Sequence, residues 1–496
     1  MDLYISKARA SPAERRAIDG VLGPPATGWD GGKRRSATDG HAAHGGRQAR
    51  ARRHLLLPAL HAVQDRVGWI SEGALNYVCR RLTVPPAEVY GVATFYGMFS
   101  LERRSPQVAH VCDDVVCRIK GAEAICDQMK KALGPAGGKR GKAGATWLRS
   151  PCLGLCEQAP AALITRAGEP ASEQALGAAT AERVTLSLTA PSQAETPALD
   201  APRLPQFGEP GLRLLRRIGH VDPTRLDDYR AQGGYQALRR AVDLGPEGVV
   251  REVIDSKLLG RGGAAFPTGR KWEAVAKAAV RPHYLVCNAD ESEPGTFKDR
   301  ILMEQDPFAL IEAMTIAGYA TGSELGYIYV RGEYPLAAER LAVAIASTRA
   351  RRLLGDDVMG QGFRFDVEVR RGAGAYICGE ETALFNSIEG YRGEPRNKPP
   401  FPTVAGLFGK PTVVNNVETL VNVLDIVLEA GRPTRRSVRQ DPPAPSCSAS
   451  RATWRGRGST RCRSGRRSRR SWISPAVCRA RGASGRCCWA EPRAAS

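Results

Sequence analysis

A glycine-rich stretch, Gly260–Trp272 with the sequence GRGGAAFPTGRKW, constrains the fold of this chain more than any other segment. Four glycines in ten residues let the backbone adopt torsions closed to other residues and approach a ligand closely. Bare N–H groups can then face phosphate oxygens, and Arg261, Arg270 and Lys271 add positive charge. An alanine-rich helical pattern follows at 272–280. A glycine loop that opens a helix favours a nucleotide site, with a simple tight turn as the alternative.

The length and composition favour a multidomain protein without membrane spans. With 496 residues, the chain has room for two or three domains with sizeable cores. No apolar run reaches the ~18 residues that a transmembrane helix needs, and the N-terminus carries no signal-peptide pattern. We therefore predict a cytoplasmic protein with no direct membrane span, or one held peripherally at the inner face of the membrane through partner subunits.

The formal net charge of +21 invites a nucleic-acid partner, but its distribution argues against one. Residues 432–496 contain 17 arginines and only two acids, Asp441 and Glu491, so this tail carries +15 of the total. The rest of the chain carries only +6. Because the charge is concentrated in the tail, we predict no nucleic-acid partner.

Changes in composition and apolar periodicity divide the chain into six segments. The first is Gly-, Ala- and Arg-rich, which predicts disorder apart from a short helix near 12–21. Apolar residues then recur at helical spacing, and an Ala/Pro/Ser/Thr-rich linker separates two α/β units. The predicted segments are 1–53 (disordered and basic), 54–104 (helical bundle), 105–167 (first α/β unit), 168–206 (linker), 207–431 (second α/β unit) and 432–496 (Arg-rich tail).

Both α/β units alternate predicted strands with helices. The first has strands at 107–111, 146–148 and 161–165 and a helix at 122–133. The second has strands at 284–287, 327–330 and 365–369 and a long helix at 310–319. Such alternation predicts an α/β fold with mostly parallel sheets.

Four of the 13 cysteines are set apart by their spacing. Cys112 and Cys117 form a C-x4-C pair at the end of a predicted strand, and Cys152 and Cys156 form a C-x3-C pair after the next strand. Two thiolate pairs on adjacent strand ends suit a 2Fe–2S cluster, and Gly154 can bend the second loop so that both sulfurs face inward. A zinc site and two disulfides are the alternatives. Four other cysteines are predicted to be buried small hydrophobes: Cys79, Cys126, Cys287 and Cys378.

An acidic loop follows the predicted strand at 284–287. It contains Asn288, Asp290, Glu291 and Glu293. Loops at the carboxyl ends of strands are where open α/β sheets bind ligands. Three carboxylates in four residues repel one another, so we expect them to hydrogen-bond ribityl or ribose hydroxyls, with a solvated acidic turn as the alternative.

Three later segments carry further candidate residues. Glu380 and Glu381 fall at the start of a predicted helix, where acids suit the helix dipole and one of them caps the helix. A proline-rich loop presents Lys398 and Phe401. The asparagines at 415–416 precede another predicted helix, so their side chains either cap it or hold polar groups of a ligand.

Together these segments resemble the NADH-binding flavoprotein subunit of respiratory complex I. They also resemble the diaphorase subunits of NAD-reducing hydrogenase and of NAD-dependent formate dehydrogenase. Residues 54–166 are similar to the small thioredoxin-like 2Fe–2S subunit of that family, fused upstream, and 212–430 are similar to its FMN/NADH subunit. The resemblance implies a thioredoxin-like domain followed by a Rossmann-like FMN/NADH domain, acting with other subunits of a larger oxidoreductase as an NADH dehydrogenase module.

The resemblance also implies which residues bind the cofactors. No side chain is implied as catalytic acid or base, because the cofactors carry the chemistry. Phe266 and Phe401 are implied to stack on the adenine of NADH, and Arg261 and Gly263 belong to the same glycine loop. The polar parts of NADH are implied to contact Lys271, Glu291, Glu293, Glu381 and Lys398. The implied FMN ligands are Gly260, Gly262, Lys271, Asn288, Asp290, Tyr376, Gly379, Glu380, Asn415, Asn416 and Thr419. The implied 2Fe–2S ligands are Cys112, Cys117, Cys152 and Cys156.

The chain departs from the family pattern at two places. Ala265 stands where the family often has glycine, so a positive φ there would strain the backbone. After Ala430 nothing resembles the ubiquitin-like domain or the 4Fe–4S domain of the family. Codons exist for 459–474 with which the neighbouring frame encodes a strand, a turn and a helix start. We therefore interpret 432–496 as disordered or as translated out of frame, and expect no 4Fe–4S site in this chain.

Overall fold

A computed structural model describes residues 5–25, 46–138, 144–189 and 212–429. All of them fall within one compact unit. The Arg-rich tail lies outside the described residues, so its disordered and out-of-frame interpretations stay predictions. Within the described ranges, no helix is long and apolar enough to cross a membrane.

The chain begins with a five-helix bundle. Ser11 and Glu14 form a capping box at the start of the first helix, with each side chain accepting a hydrogen bond from the other residue's backbone amide. Ile18 and Leu22 are buried against the later helices, because the helix presents one apolar face to the bundle. The helices are α1 (Pro12–Leu22), α2 (Gly46–Ala51), α3 (Leu56–Val67), α4 (Glu72–Leu82) and α5 (Pro86–Phe95).

Two helices of the bundle lie within the segment that was predicted to be largely disordered. The short helix predicted near residue 12 is present, and it is an integral part of the bundle. Arg81 in α4 pairs with Asp19 and donates to the carbonyl of Gly23 at 2.6 Å. The prediction of disorder for 1–53, apart from a short helix near 12–21, is therefore wrong for the second helix, Gly46–Ala51, and for the ordered residues that flank the first. Residues 1–4 and 26–45 lie outside the described part of the chain.

The N-terminal α/β domain forms a four-stranded sheet in the order β2-β1-β3-β4. β1 and β2 are parallel, whereas β3 is antiparallel to both β1 and β4, so this sheet is mixed and not mostly parallel as predicted. Helices α7 and α8 cover its apolar face. Its elements are β1 (Gln107–Cys112), α6 (Val115–Ile119), α7 (Ala122–Leu133), β2 (Ala145–Ser150), β3 (Ala162–Arg166), β4 (Ser172–Leu176) and α8 (Ala181–Thr189).

The predicted linker at 168–206 begins too early. β4 pairs with β3 along its whole length, and Val184 and Leu188 of α8 are buried in the core of this domain. The Ala-, Ser- and Thr-rich composition hid both elements because only a few apolar residues anchor them. Residues 190–211 lie outside the described part of the chain.

The C-terminal α/β domain has a parallel four-stranded sheet in the order β7-β6-β5-β8, as the alternation predicted. After β7 the chain crosses to the other side of β5, so the strand order reverses at β5. The elements are α9 (Leu226–Ala231), α10 (Gln236–Asp255, bent at Gly245), α11 (Thr268–Ala276), β5 (His283–Ala289), α12 (Lys298–Gln305), α13 (Pro307–Thr321), β6 (Ser323–Val330), α14 (Pro335–Ala350), β7 (Asp366–Arg371), α15 (Glu381–Ile388), α16 (Pro402–Ala405), β8 (Thr412–Asn416) and α17 (Val417–Leu428).

The three parts share interfaces. Apolar residues of the bundle and of the C-terminal domain form one cluster, and the amide of Met98 donates to the carbonyl of Ala373 at 2.9 Å. Cys152 and Cys156 pack against the core of the C-terminal domain. The cysteine loop of the N-terminal domain therefore lies directly beside the carboxyl edge of the parallel sheet.

Candidate functional site

The glycine loop closes into a narrow hairpin ahead of α11. The amide of Gly260 donates to the carbonyl of Phe266 at 2.9 Å. The amide of Thr268 donates to the carbonyl of Leu258, also at 2.9 Å. Gly262 lies against β8, because a Cβ on it would come within 3.3 Å of the Asn416 Cβ. This close approach explains why a residue without a side chain is needed at that position.

Ala265 has φ of 52°, which lies in the left-handed region. The expectation that alanine strains this position is therefore confirmed. The neighbouring Gly263 also has a positive φ, 113°, where glycine carries no such cost.

Two hydrogen bonds join the glycine loop and α11 to the last strand and helix. The amide of Arg261 donates to the Thr419 hydroxyl oxygen at 2.8 Å. Lys271 donates from Nζ to the carbonyl of Val414 at 2.9 Å, and burial lowers the pKa of its ammonium group. Among the described residues, the buried Nε of Arg261 has no hydrogen-bond partner. Two cations therefore converge at the glycine loop, and one of them has an unused donor.

The asparagines at the end of β8 have different roles. Asn415 is buried, and its Oδ1 accepts a 2.8 Å hydrogen bond from the indole Nε1 of Trp272. Asn416 caps α17 by accepting from the amide of Glu418 at 2.9 Å. Capping was one of the two roles predicted for this pair.

The loop after β5 lies where the strand order reverses, which is the usual ligand position in such sheets. Asn288 donates to the carbonyl of Gly379 at 2.8 Å. Asp290 accepts from the hydroxyl of Ser292 at 2.9 Å, and burial raises its pKa to about 7. A Cβ on Gly379 would come within 3.3 Å of the Asp290 carboxylate, so the two loops pack closely.

Glu291, a predicted NADH contact, is already hydrogen-bonded within the protein. Its side chain is buried, and its two carboxylate oxygens accept from the amides of Asp299 and Arg300 at 2.9 and 3.0 Å. Burial and the neighbouring Asp299 raise its pKa to about 7. Glu291 therefore fixes the start of α12. Glu293, by contrast, is exposed at the rim, 3.4 Å from the Tyr376 hydroxyl.

The start of α15 combines capping with an ion-pair network. Glu380 caps the helix by accepting from the amides of Thr382 and Ala383 at 2.8 and 3.0 Å, so the predicted capping role for one of the two acids is confirmed. Lys398 then joins Glu380 and Glu381 at 2.9 and 2.8 Å. The proline-rich loop is thereby held against the start of α15.

Three aromatic side chains of the site remain open to solvent. Phe266 is 52%, Phe401 58% and Tyr376 63% exposed. Burying such rings releases water from apolar surface, so exposed rings at a cleft rim favour a stacking ligand. The Nζ of Lys271 also lies 5.8 Å from the centre of the Phe266 ring.

The four predicted cysteine ligands are all buried and form two pairs. The Sγ atoms of Cys152 and Cys156 are 3.4 Å apart, and the neighbouring Cys117 thiol lowers the pKa of the Cys112 thiol. Gly154 has φ of 69° and donates to the Cys152 sulfur at 3.4 Å. Hydrogen bonding to Cys156 lowers the pKa of the Cys152 thiol to about 6. The predicted bend at Gly154 is thus present.

This geometry bears on the alternatives to a cluster. All eight cysteines in the described ranges are free thiols, so no disulfide joins either pair there. Among those residues, no three His, Cys, Asp or Glu side chains converge on a point that suits a single metal ion. The two cysteine pairs suit the four-thiolate ligand pattern of a 2Fe–2S cluster. The other four cysteines are buried, as predicted.

The two α/β domains match two different protein families. Residues 253–425 match the Nuo51 FMN-binding domain, and residues 43–184 match the thioredoxin-like [2Fe-2S] ferredoxin family. The N-terminal α/β domain, with most of the bundle, is thus similar to a thioredoxin-like [2Fe-2S] ferredoxin domain, and the C-terminal α/β domain is similar to a Nuo51 FMN-binding domain. The ferredoxin match includes most of the bundle, all of β4 and the start of α8.

Relatives fall into two groups. An NADH-quinone oxidoreductase subunit of Rhizobium meliloti is 56% identical over 216 residues, which are 43% of this chain and 51% of that protein. The NAD-reducing hydrogenase HoxS subunit alpha of Cupriavidus necator is 36% identical over 391 residues, 77% of this chain and 63% of that protein. A crystal structure of NAD+-reducing [NiFe]-hydrogenase superposes with a TM-score of 0.60 at 33% identity, over 77% of this chain and 62% of that one. The chain thus spans about half to two-thirds of the length of these relatives.

The FMN-binding domain has donors that suit an anionic cofactor. The unused Nε of Arg261, the buried Lys271 and the close-packed Gly262 form a cradle with positive charge and open backbone. At the cysteine pairs, four buried thiols and two amides directed at sulfur, that of Gly154 and that of Gly295 from the C-terminal α/β domain, suit an iron–sulfur cluster.

A buried charge cluster next to this cradle has no counterpart among the features predicted from the sequence. The ammonium group of Lys298 contacts Asp299, Asn416 and Glu418 at 2.7, 3.2 and 3.1 Å. These residues come from α12, β8 and α17, so their association depends on tertiary structure. The only local signal was the polar start of a helix directly after the acidic loop.

Proposed function

We propose that this chain is an electron-input module that transfers a hydride from NADH to FMN, then single electrons to a 2Fe–2S cluster and on to partner subunits. The contact that carries the proposal is between Gly295 and Cys156. The amide of Gly295, in the loop after β5, donates to the Cys156 sulfur at 3.2 Å. The proposed flavin site and the proposed cluster site thus share a hydrogen bond, which makes a short electron path between them.

The chain's own residues bind and orient FMN and NADH, and no side chain is assigned as a catalytic acid or base. Bound FMN would supply a hydride acceptor that can also release single electrons. Arg261 and Lys271 supply positive charge for the anionic part of the cofactor, and Asn288 and Asp290 offer polar groups at the switch point of the sheet. Holding both reactants in one cleft supplies the rate enhancement through orientation.

The NADH site lies at the exposed rim of the same cleft. Phe266 and Phe401 present open ring faces for the adenine, and Lys398 with Glu381 offers polar contacts. Glu293 remains available at the rim, whereas the buried carboxylate of Glu291 is removed from the proposed NADH contacts.

An anaerobic NADH titration of the purified chain tests this proposal. Flavin bleaching, a low-temperature EPR signal of a reduced 2Fe–2S cluster and ferricyanide reduction are the expected results. A colourless protein without iron or flavin would contradict it and favour a non-catalytic adaptor, in which the ferredoxin domain only docks a partner.

A pair of variants tests the NADH site. Phe401→Ala removes a proposed stacking ring, so we expect KM for NADH to rise about tenfold, as the loss of one aromatic contact of ~1.4 kcal/mol would produce. Val404→Ala is the matched control because Val404 is equally exposed in the following turn. Equal KM values in the two variants would contradict the stacking role.

A second candidate function is electron transfer in the opposite direction, toward NAD+. The similarity to the hydrogenase alpha subunit extends across both domains, whereas that to the NADH-quinone oxidoreductase relative covers 43% of the chain. This favours a diaphorase that reduces NAD+ with electrons from partner subunits. Comparing NAD+ reduction by a reduced viologen with NADH oxidation by ferricyanide distinguishes the two directions.

A further inference from the structure

Arg331 links the proposed flavin site to the proposed cluster site through two backbone carbonyls. It directly follows β6, and only 3% of its surface is exposed. One terminal nitrogen donates to the carbonyl of Glu291 at 2.6 Å, in the loop after β5. The other donates to the carbonyl of Cys152 at 2.5 Å and to the carboxylate of Glu333 at 2.9 Å.

A second buried arginine holds the same cysteine loop. Arg300 of α12 donates from Nε to the carbonyl of Gly154 at 3.0 Å and pairs with Glu157 and Glu304. Tyr334 packs so closely on Gly154 that any side chain there would collide with its ring. Together with the Gly295 amide on the Cys156 sulfur, the C-terminal α/β domain therefore supports the Cys152–Cys156 loop at four points.

Arg300 and Arg331 differ in how far neighbouring carboxylates balance their positive charge. Arg300 lies between two carboxylates, so its charge is more than balanced locally. Within the described part of the chain, Arg331 forms an ion pair with only one carboxylate, that of Glu333. A guanidinium remains protonated at any pH at which the protein folds, and burial weakens the screening of its charge by water.

Reduction adds one negative charge to an iron–sulfur cluster, and nearby charges and loop geometry set its reduction potential. A buried cation that donates to the carbonyl of a ligand cysteine stabilises the reduced form. The second carbonyl contact fixes that cation relative to the flavin-site loop.

We propose that Arg331 is a positioning residue that holds the Cys152–Cys156 loop against the Glu291 carbonyl and makes a 2Fe–2S cluster there easier to reduce. This inference rests on the proposed function, because it needs a cluster on the four cysteines. It adds a determinant of the cluster's potential that lies in the other domain.

The test measures the midpoint potential and the EPR line shape of the cluster during a redox titration of the full chain. For Arg331→Gln we expect a potential at least ~59 mV lower, which is a tenfold less favourable one-electron reduction. In Arg331→Lys the charge remains but cannot reach both carbonyls. We therefore expect a smaller drop in potential with a broadened EPR signal.

The double variant Arg331→Gln/Glu333→Gln separates charge from position. It removes one positive and one negative charge, so the net local charge is that of the wild type. We therefore expect the midpoint potential to recover most of the drop seen in Arg331→Gln, while the altered EPR line shape remains. Arg217→Gln is the control for loss of a buried arginine, because Arg217 pairs with Asp306. It should leave both cluster signals unchanged.

The outcomes distinguish this inference from the proposed function. Wild-type protein without a reducible cluster contradicts the proposed function itself. A wild-type cluster whose potential and line shape are unchanged in both single variants at Arg331 overturns the role of Arg331 alone. Loss of iron from Arg331→Gln, with iron retained in Arg217→Gln, supports the positioning role, and the Arg331→Lys titration then tests the charge.

Discussion

The Thr419 hydroxyl oxygen accepts a 2.8 Å hydrogen bond from the backbone amide of Arg261, so α17 and the glycine loop are held together by one side chain. Thr419 is completely buried near the start of α17. The loop therefore depends on a helix that lies 158 residues later in the chain.

Thr419→Val tests this contact with nearly unchanged volume. The variant leaves the Arg261 amide without its acceptor, and an unsatisfied amide costs about 1–3 kcal/mol. We expect a lower free energy of unfolding by chemical denaturation and weaker retention of flavin. Thr315→Val is the control, because the equally buried Thr315 hydroxyl donates to a carbonyl of its own helix. Equal losses in the two variants would show that the loop contact contributes nothing.

Ala265→Gly should stabilise the chain. The left-handed conformation costs a non-glycine residue roughly 1–2 kcal/mol, and glycine avoids most of this cost at an entropic expense of about 0.5–1 kcal/mol. The expected net gain is therefore up to ~1 kcal/mol in the free energy of unfolding, seen as a higher Tm. Ala264→Gly is the control, because Ala264 has no positive φ and should lose stability. A fall in Tm with both substitutions would refute the strain at Ala265.

Local patterns were sufficient for three of the four strands of the parallel sheet and for the cysteine pairs. Buried strands such as β5 and β6 are short apolar runs, and the spacing of Cys112 and Cys117 can be recognised without any tertiary contact. β8 was not predicted because Asn415 and Asn416 have poor strand propensity. Pairing with β5 overrides that propensity, as is common for central parts of a sheet.

The roles of charged residues were harder to predict because partners decide them. Glu291 belongs to an acidic run that resembles a ligand site, yet its carboxylate bonds to two amides eight and nine residues later. Lys298 begins α12 and Arg331 directly follows β6. No spacing rule indicates that Lys298 meets a residue of α17 or that Arg331 meets the cysteine loop of the N-terminal α/β domain. Such assignments require the folded arrangement.

Substituting the proposed cluster ligands should remove iron selectively. Cys156→Ser replaces a thiolate with a poor iron ligand, so we expect loss of the visible absorption and of most bound iron, with flavin retained. Cys126→Ser is the matched control, because Cys126 is equally buried in the same domain and outside the two pairs. Iron content equal to wild type in Cys156→Ser would remove this residue from the ligand set.

Asp65 should make the stability of the chain depend on pH. It borders a small cavity of about 30 Å³ between the bundle and the N-terminal α/β domain. Burial and the neighbouring Glu173 raise its pKa from 3.8 to about 6, and Arg371 only partly opposes this. Below pH ~4 the carboxyl is protonated in both the folded and unfolded states, so no penalty arises.

As the pH rises from about 4 to 6, the unfolded state releases this proton first, and the folded state loses stability relative to it. Asp65→Asn has no such proton to lose. Its free energy of unfolding relative to wild type should therefore rise by about 1–3 kcal/mol over that interval and stay constant above it. Asp356→Asn, at a side chain that is 93% exposed, should follow wild type at every pH. Parallel stability curves for wild type and Asp65→Asn between pH 4 and 7 would show that the Asp65 carboxyl has an ordinary pKa in the folded protein.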